Sequence, residues 1–475
     1  MKKKENSFVK NVFSMLIANG VSFLISSLVT FILPKFLSVE NYAYIQLYIF
    51  YSSYISYLHW GWVDGIRLRY GGIYYDKIDK PMFKSQIFMY SILEIIISLM
   101  VLLYILFGGF TGNKFIALVC VSICMLIRLP RLMPQYILEM SNRIEECSRI
   151  TLLEKITYLF LTLLVVFSGK ISVLLLLVAD LIGQIVSSIY SFYCCIDIIS
   201  CKREKNFHEV TKEAKRNIVV GIKLTIANVS SLLIIGIVRQ FIEMKWDVST
   251  FGKISLTISI SNLLMVFIRS VSMVMFPTLR RLEKNKLNGL YEKIRTCLMI
   301  PLLGLLLIYY PLNIIVGLWL PQYSDSLIYM ALLFPMCVFE SKMSMLIETY
   351  FKTLRLENNL LKINLLMVTM SLISTVFTTI IFHNLTYAVL SIVILLAFRC
   401  VIAETILSKH INVDVRKFIF EEIIMVVIFI LSSWFVKGYF GFILYFISYV
   451  LYMIFNKKNI EILIKEIREK RKLKW

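Results

Sequence analysis

The 475-residue chain is 59% hydrophobic and 17% charged, and its mean hydropathy is +0.77. This composition excludes a soluble globule of this size, because too few polar side chains remain to cover its surface. The net charge of +21 is spread around long apolar segments rather than along one basic face, which favours membrane topology over nucleic-acid binding.

The apolar segments are about 20 residues long, the length of a transmembrane helix, and they lack the ten-residue alternation of barrel strands. The first segment, 11–33, is too long for a signal-peptide core and has no small-residue cleavage site after it, so we expect it to be retained. The sequence therefore predicts an all-α polytopic membrane protein with about fourteen transmembrane helices. In chain order the predicted helices are 11–33, a segment that includes 46–60, 82–107, 115–136, 150–167, 171–195, 218–241, 254–276, 297–320, 327–350, 361–382, 388–407, 418–436 and 439–455.

An internal repeat organises these helices. Ile17-Ala18-Asn19 recurs as Ile226-Ala227-Asn228, and five positions between Val39 and Leu47 recur between Val248 and Leu256 at the same offset. Six helices separate the copies, so both copies enter the membrane in the same direction and predict two parallel lobes. The predicted division is an N-terminal lobe of helices 1–6 (1–196), a basic cytoplasmic linker (197–217), a C-terminal lobe of helices 7–12 (218–410), helices 13–14 (411–456) and a basic cytoplasmic tail (457–475).

Positive charge predicts the topology. With the N-terminus inside, 37 of the 51 Lys and Arg residues fall in cytoplasmic segments, six fall in outer loops and eight lie within apolar segments. This asymmetry follows the positive-inside rule and places both termini in the cytoplasm.

Polar side chains follow one face of several helices, which is typical either of a cavity lining or of helix packing through small polar residues. The end of helix 2, HWGWVDGIRLRYGG, carries Asp64 and Arg67, which suit either a cytoplasmic gate or interfacial anchoring. The predicted cavity residues are Asn19, Ser22 and Ser26 in helix 1, Gln46, Ser53, Tyr57 and Trp60 in helix 2, and Ser259 and Asn262 in helix 8.

Cations within the apolar segments indicate the class of substrate. Each would be costly in lipid, so they must line a cavity, pair or snorkel. Fewer acids accompany them, mainly Glu94 and Asp180, which we interpret as coupling or ion-pair residues, so we expect a net positive cavity that binds an anion. Arginine suits a diphosphate because its planar fork can contact two oxygens. The predicted substrate-binding cations are Arg128, Arg269, Arg399, Lys342 and Lys223.

No cofactor or metal site is expected. The nine cysteines and four histidines lack ligand spacing or a disulfide framework, and no nucleotide-binding or hydrolase motif occurs. We therefore predict no metal, no cofactor, no nucleic acid and no enzymatic activity.

Three stretches resemble a known family: VKNVFSMLIANGVSFLISSLVTFILPKFLSVENYAYIQL at the start, DGIRLRYGG after helix 2 and VMFPTLRRL after helix 8. With the duplicated six-helix plan, they resemble the bacterial polysaccharide or O-antigen repeat-unit flippases of the multidrug/oligosaccharidyl-lipid/polysaccharide (MOP) exporter superfamily. The resemblance implies a protein of the bacterial cytoplasmic membrane that moves undecaprenyl-diphosphate-linked oligosaccharides to the outer leaflet by alternating access. It also implies contact with membrane lipids, and with a polymerase and chain-length regulators as candidate partners.

Three other functions stay open from the sequence. A cation-coupled multidrug antiporter of the same superfamily would use a buried acid such as Glu94 or Asp180. A lipid II flippase is disfavoured because helix 1 carries no arginine or aspartate, unlike the peptidoglycan-precursor branch. A membrane polysaccharide polymerase would need a long outer loop, and the longest predicted one, 239–252, is short.

The charge distribution makes a direct prediction about topology. A cytoplasmic reporter fused after Asn206 or after Lys458 should be active, and a reporter that works only outside the cell should be silent at both sites. Outward activity at either site would contradict the fourteen-helix topology.

Overall fold

The computed structural model describes residues 20–457 apart from 205, 281–283 and 437, and only the backbone at 264, 266–280 and 284–288. This part of the chain is helical and contains no strand. The helices are α1 (Gly20–Phe36), α2 (Val39–Ile55), α3 (Trp62–Tyr70), α4 (Lys80–Phe107), α5 (Gly112–Met140), α6 (Ile144–Phe167), α7 (Val173–Cys194), α8 (Ile196–Ser200), α9 (Phe207–Lys245), α10 (Val248–Arg280), α11 (Lys284–Leu305), α12 (Tyr309–Trp319), α13 (Ser324–Leu333), α14 (Met336–Lys342), α15 (Glu348–Thr353), α16 (Glu357–Val376), α17 (Leu385–Ile411), α18 (Arg416–Trp434) and α19 (Tyr439–Phe455).

These helices match the predicted spans. Among the described residues, eight helices are long and apolar enough to cross a bilayer, and the bent pair Pro321–Leu333 and Met336–Thr353 would make a ninth. The shorter helices α1 and α19 are also apolar. Each of the fourteen predicted segments overlaps a described helix. The predicted fold class, an all-α multi-pass membrane protein, is confirmed.

The chain separates into two compact units, which are described separately below. Unit 1 ends at Val229 and unit 2 begins at Ser230, so the boundary lies within α9. In unit 1, α5 packs against α2, α3, α4 and α7, and in unit 2, α17 packs against α13, α14 and α16. Residues 207–217 of the predicted linker belong to α9. The predicted lobes were defined by a sequence repeat rather than by packing, and they stay a prediction.

The repeat is visible in how α2 and α10 begin. The hydroxyl of Ser38 accepts a hydrogen bond from the Asn41 amide (3.2 Å), and at the equivalent positions the Asp247 carboxylate accepts one from the Thr250 amide (2.5 Å). Each side chain satisfies an amide that the first helical turn leaves free. The matched apolar positions that follow are buried in both copies: Tyr42 and Phe251, Ile45 and Ile254, Leu47 and Leu256.

The predicted face of helix 2 is interrupted, which corrects the sequence analysis. The helix ends at Ile55 and the chain turns before α3 begins, with left-handed backbone at Trp60 (φ 51°) and Gly61 (φ 83°). Tyr57 and Trp60 therefore do not continue the helical face of Gln46, and Trp60 is 55% exposed. In the other copy, α10 continues without such a break.

The break lies where α3 packs backbone to backbone against the first half of α9. A Cβ atom built on Gly65 would lie 1.8 Å from the carbonyl oxygen of Asn217, and one on Gly61 would lie 2.4 Å from the amide nitrogen of Ile222. On α9, a Cβ at Gly221 would lie 2.0 Å from the Gly61 carbonyl oxygen. Glycines spaced in this way let helix backbones approach closely, so these three positions exclude any side chain.

Substituting Gly65 tests this contact. We expect Gly65→Ala to destabilise the protein by about 3 kcal/mol, because the atoms that it meets are backbone and cannot move aside. The matched control is Gly289→Ala, where a Cβ would meet no heavy atom of the described residues within 4 Å. The readout is folded yield and melting temperature by size-exclusion chromatography, and equal behaviour of the two variants would contradict the packing.

Candidate functional site

In unit 1, a charged cluster links α5, α6 and α7. Arg131 is 4% exposed, and its guanidinium donates to the Glu154 carboxylate (2.8 Å) and to the Ser187 hydroxyl. The other Glu154 oxygen accepts from the Gln184 amide (3.1 Å) and lies 3.4 Å from the Lys155 ammonium. Arg131 and Glu154 thus form a buried, hydrogen-bonded ion pair.

Arg128, one turn before Arg131, differs from it. Arg128 is half-buried and close enough to Glu154 to interact electrostatically, but it forms no ion pair or hydrogen bond with the described residues, whereas Arg131 forms both. The Nε of each arginine is buried without a hydrogen-bond partner among the described residues. Glu154 already contacts Arg131 and Lys155. Within the described residues, the guanidinium of Arg128 therefore remains available to bind a further anion.

The two predicted acids of unit 1 also differ from each other. Asp180 on α7 accepts a hydrogen bond from the Tyr48 hydroxyl (2.6 Å). Glu94 on α4 is 0% exposed, and neither of its oxygens has a hydrogen-bond partner in the described part of the chain. Within the described residues, Glu94 therefore does not form an ion pair.

Unit 2 contains a closed ring of four buried charges. Arg295 contacts Glu404 (2.8 Å) and Glu422 (2.5 Å), and Lys342 contacts the same two carboxylates, Glu422 at 2.5 Å. The four residues are at most 3% exposed, and the Tyr291 hydroxyl also donates to Glu404 (2.8 Å). The ring joins α11, α14, α17 and α18 and is electrically neutral.

Arg399 on α17 is also enclosed by partners. It is 1% exposed, and its guanidinium donates to Asn364 (2.9 Å), Glu340 (3.1 Å) and Glu348 (3.3 Å). Arg399 therefore already has two anionic partners.

A π-helical turn places both of these glutamates on one face. Residues Met343–Ile347 form the turn, which lies between Glu340 and Glu348. Eight residues of α-helix would rotate the second glutamate by about 80°, whereas one inserted residue reduces this to about 20°. Both carboxylates can then reach Arg399, which explains why the π-turn occurs here.

These contacts correct one premise of the sequence analysis. We expected deep cations in excess of acids, but in the described part of unit 2 Arg399 and Lys342 are matched by glutamates. Glu404 and Glu422 were missed because each lies near the end of an apolar segment, far in sequence from Lys342. The depth of Lys342 was the available signal, since a buried ammonium requires a carboxylate.

The remaining predicted site residues lie in varied surroundings, and their contact with substrate stays a prediction. Gln46 is buried and donates to the Tyr42 hydroxyl (2.6 Å), and the Ser53 hydroxyl donates to the Phe50 carbonyl (2.7 Å). Ser22, Ser26 and Ser259 are half-buried, and Lys223 and Asn262 are exposed. Asn19 and the side chain of Arg269 lie outside the described residues.

The predicted gate residues lie beside the contact between α3 and α9. Asp64 is 2% exposed, accepts a hydrogen bond from the Thr225 hydroxyl on α9 (2.7 Å) and lies 3.4 Å from Arg67. Arg67 also contacts Glu139 on α5 (3.3 Å). These residues link three helices of unit 1, and their role as a gate stays a prediction.

No group of three or more His, Cys, Asp or Glu side chains among the described residues is arranged to hold a metal ion.

Known structures share this arrangement of helices. The lipid II flippase MurJ in its inward closed conformation matches with a TM-score of 0.65 over 94% of this chain and 99% of its own, at 13% identity. A MATE transporter in complex with MaD5 matches with a TM-score of 0.59 over 86% of this chain and 96% of its own, at 15% identity. A MOP-superfamily transporter from Pyrococcus furiosus matches with a TM-score of 0.57 over 86% and 95%, at 13% identity.

The chain has the fold of the MOP-superfamily transporters. This is the fold that the resemblance in the sequence implied. No family model matches the chain, and no curated protein does. Identities this low show the MOP fold and leave the substrate to be argued from the residues.

The buried ring of unit 2 generates a stability prediction. Lys342→Met leaves two carboxylates facing one cation, and we expect it to cost about 3–5 kcal/mol. The double variant Lys342→Met/Glu422→Gln restores neutrality and should recover part of this loss. Lys417→Met should be silent because Lys417 is 83% exposed and lies 3.9 Å from its partner Glu421. Melting temperatures in detergent decide the matter, and a double variant no more stable than Lys342→Met would contradict the ring.

Proposed function

We propose that the protein translocates undecaprenyl-diphosphate-linked oligosaccharide repeat units from the cytoplasmic to the outer leaflet of the bacterial cytoplasmic membrane. The cycle is alternating access, and the product serves O-antigen, capsule or exopolysaccharide synthesis. Both termini face the cytoplasm in this proposal. A polymerase and chain-length regulators are the proposed protein partners.

The observation that carries the proposal is the state of Arg128. It is half-buried in α5 and forms no ion pair or hydrogen bond with the described residues, while Glu154 is already paired with Arg131. Three cations, Arg128, Arg131 and Lys155, lie close enough to Glu154 to act on its single carboxylate, so the charge around Glu154 is positive. A diphosphate fits such a place because arginine can bind two phosphate oxygens at once.

Arg399 and Lys342 contribute less to the proposal than the sequence suggested. Their glutamate partners would compete with a diphosphate for the same donors. The proposed ligands of the diphosphate in unit 1 are therefore Arg128 first and the exposed Lys223 second. Arg269 stays a candidate from the sequence.

The coverage of the structural matches supports a flippase. MurJ matches 94% of this chain, whereas the MATE structure in complex with MaD5 matches 86%. More of this chain can thus be superposed on the flippase than on the MATE transporter, which favours a flippase. Lipid II itself is a weaker candidate, because helix 1 lacks the arginine and aspartate of that branch.

A second candidate function is a cation-coupled multidrug antiporter of the same superfamily. It is favoured by Glu94, a buried acid with no cation bonded to it among the described residues. It is disfavoured by Arg128, because a site for cationic drugs would not retain an unsatisfied guanidinium. A polymerase is disfavoured because the connections between the described spans are short.

Arg128 provides the test of the substrate. Arg128→Ala should reduce transport by about tenfold to a hundredfold, from the loss of a charge-assisted hydrogen bond worth about 1.5–3 kcal/mol. Arg128→Lys should lose a substantial part, because lysine keeps the charge without the fork. The measurement is surface polysaccharide in a complemented flippase-deficient strain, normalised to the amount of protein in the membrane.

The matched control is Arg149→Ala on α6, because Arg149 is 57% exposed and pairs with Glu145 on its own helix. It should transport normally. If Arg128→Ala also transports normally, Arg128 does not bind the substrate. If its only effect is lower abundance, the role of Arg128 is structural.

A further inference from the structure

The inward face of α4 carries a column of buried polar side chains. Gln86, Tyr90, Glu94 and Ser98 follow one another at four-residue spacing, and each is 0% exposed. This spacing keeps them on one face of the helix. The opposite face exposes apolar side chains as a lipid-facing surface does: Ile92, Ile96, Met100 and Leu103.

The column is hydrogen-bonded at one end and unsatisfied in its middle. The side-chain oxygen of Gln86 accepts one hydrogen bond from the indole N–H of Trp62 on α3 (3.0 Å) and one from the side-chain amide of Asn217 on α9 (3.0 Å). Among the described residues, the Gln86 amide nitrogen, the Tyr90 hydroxyl and both Glu94 oxygens have no hydrogen-bond partner. Such groups are rare inside proteins, and each requires an explanation.

Glu94 differs from three other buried glutamates of the described chain. Glu154, Glu404 and Glu422 each lie within 3 Å of a cation. Tyr90 is the titratable or charged group of the described chain that acts on Glu94, and no cation does. An unpaired carboxylate in this position would cost far more than a neutral acid. Glu94 therefore carries a proton in this conformation.

The unsatisfied donors next to Glu94 give the proton a way to leave. If the acid releases its proton to water, the Tyr90 hydroxyl one turn away can donate a hydrogen bond to the carboxylate that remains. Gln86 lies one further turn along the helix, beyond Tyr90. Beyond Gln86, the Asn217 side chain accepts from Arg69 (2.5 Å), whose side chain is 25% exposed. Polar groups thus extend from Glu94 to solvent at the contact between α3 and α9.

We propose that Glu94 is a proton-binding site and that Tyr90 and Gln86 form the route by which unit 1 exchanges this proton with water. The step is the heterolysis of the carboxylic O–H bond, with the proton passing to water and the electron pair staying on the carboxylate. Resting on the proposed function, the inference assigns a proton as the ion coupled to the transport cycle. Tyr90, which interacts with Glu94, is the first group of this route.

Infrared spectroscopy of the full-length protein in nanodiscs tests the site without any substrate. At pH 7 the wild type should show a carboxylic-acid C=O band that Glu94→Gln removes. The control Glu154→Gln should leave the band intact, because Glu154 is ionised beside Arg131. A spectrum at pH 7 with no band sensitive to Glu94→Gln would overturn the proposal.

Deuterium exchange of the same band tests the route. Tyr90→Phe removes the hydroxyl and keeps the ring, so exchange into D2O should slow by about tenfold, equivalent to about 1.4 kcal/mol. The control on the same helix is Tyr104→Phe, because Tyr104 is 70% exposed. Equal exchange rates in Tyr90→Phe and Tyr104→Phe would overturn the route through Tyr90.

Coupling is tested by transport in vesicles with an imposed pH gradient. Wild-type transport should depend on the gradient, and Glu94→Gln, which mimics the neutral acid, should lose that dependence at normal abundance. Unchanged dependence in Glu94→Gln would overturn the coupling. If neither protein transports the lipid-linked oligosaccharide while the infrared band behaves as expected, the proposed substrate fails and the proton site stands.

Discussion

A charge within the hydrocarbon core needs a partner, and this requirement accounts for the buried ion pairs of both units. In unit 2, Arg295 and Lys342 share Glu404 and Glu422, and the ring that they form joins four helices. Arg399 is satisfied in the same way. Arg128 and Glu94 in unit 1 differ, since neither side chain forms an ion pair with the described residues. The proposed substrate site and proton site follow from these two exceptions.

Close backbone contact is the second constraint on unit 1. Gly61 and Gly65 let α3 lie directly against α9, and the turn that ends α2 follows from that contact. The same contact buries Asp64 where it can accept a hydrogen bond from Thr225. The polar column of α4 begins at this junction, because Gln86 binds residues of both α3 and α9. One local packing feature therefore connects the predicted gate to the proposed proton route.

Much of the fold could be predicted from the sequence, because a transmembrane helix is recognised by the length of its apolar segment. The internal repeat also marks where equivalent helices begin, at Ser38 and at Asp247. The break after Ile55 could not be predicted, since Gly61 adopts its conformation only against α9. The ring of charges could not either: Glu404 and Glu422 are distant in sequence from Lys342, and apolar length says nothing about which helices meet. The π-turn that aligns Glu340 and Glu348 is likewise invisible, because an inserted residue leaves no signal in an apolar segment.

The central claim is that the protein moves a lipid-linked oligosaccharide, and reconstitution tests it most directly. Purified protein would be placed in liposomes that contain undecaprenyl-diphosphate-linked oligosaccharide, and a membrane-impermeant glycosidase would report the glycan on the opposite leaflet. The account predicts a glycan signal that grows faster with protein than without it and that Arg128→Ala greatly reduces. A folded protein that leaves the glycan inaccessible, or that instead moves a cationic drug, would contradict the account.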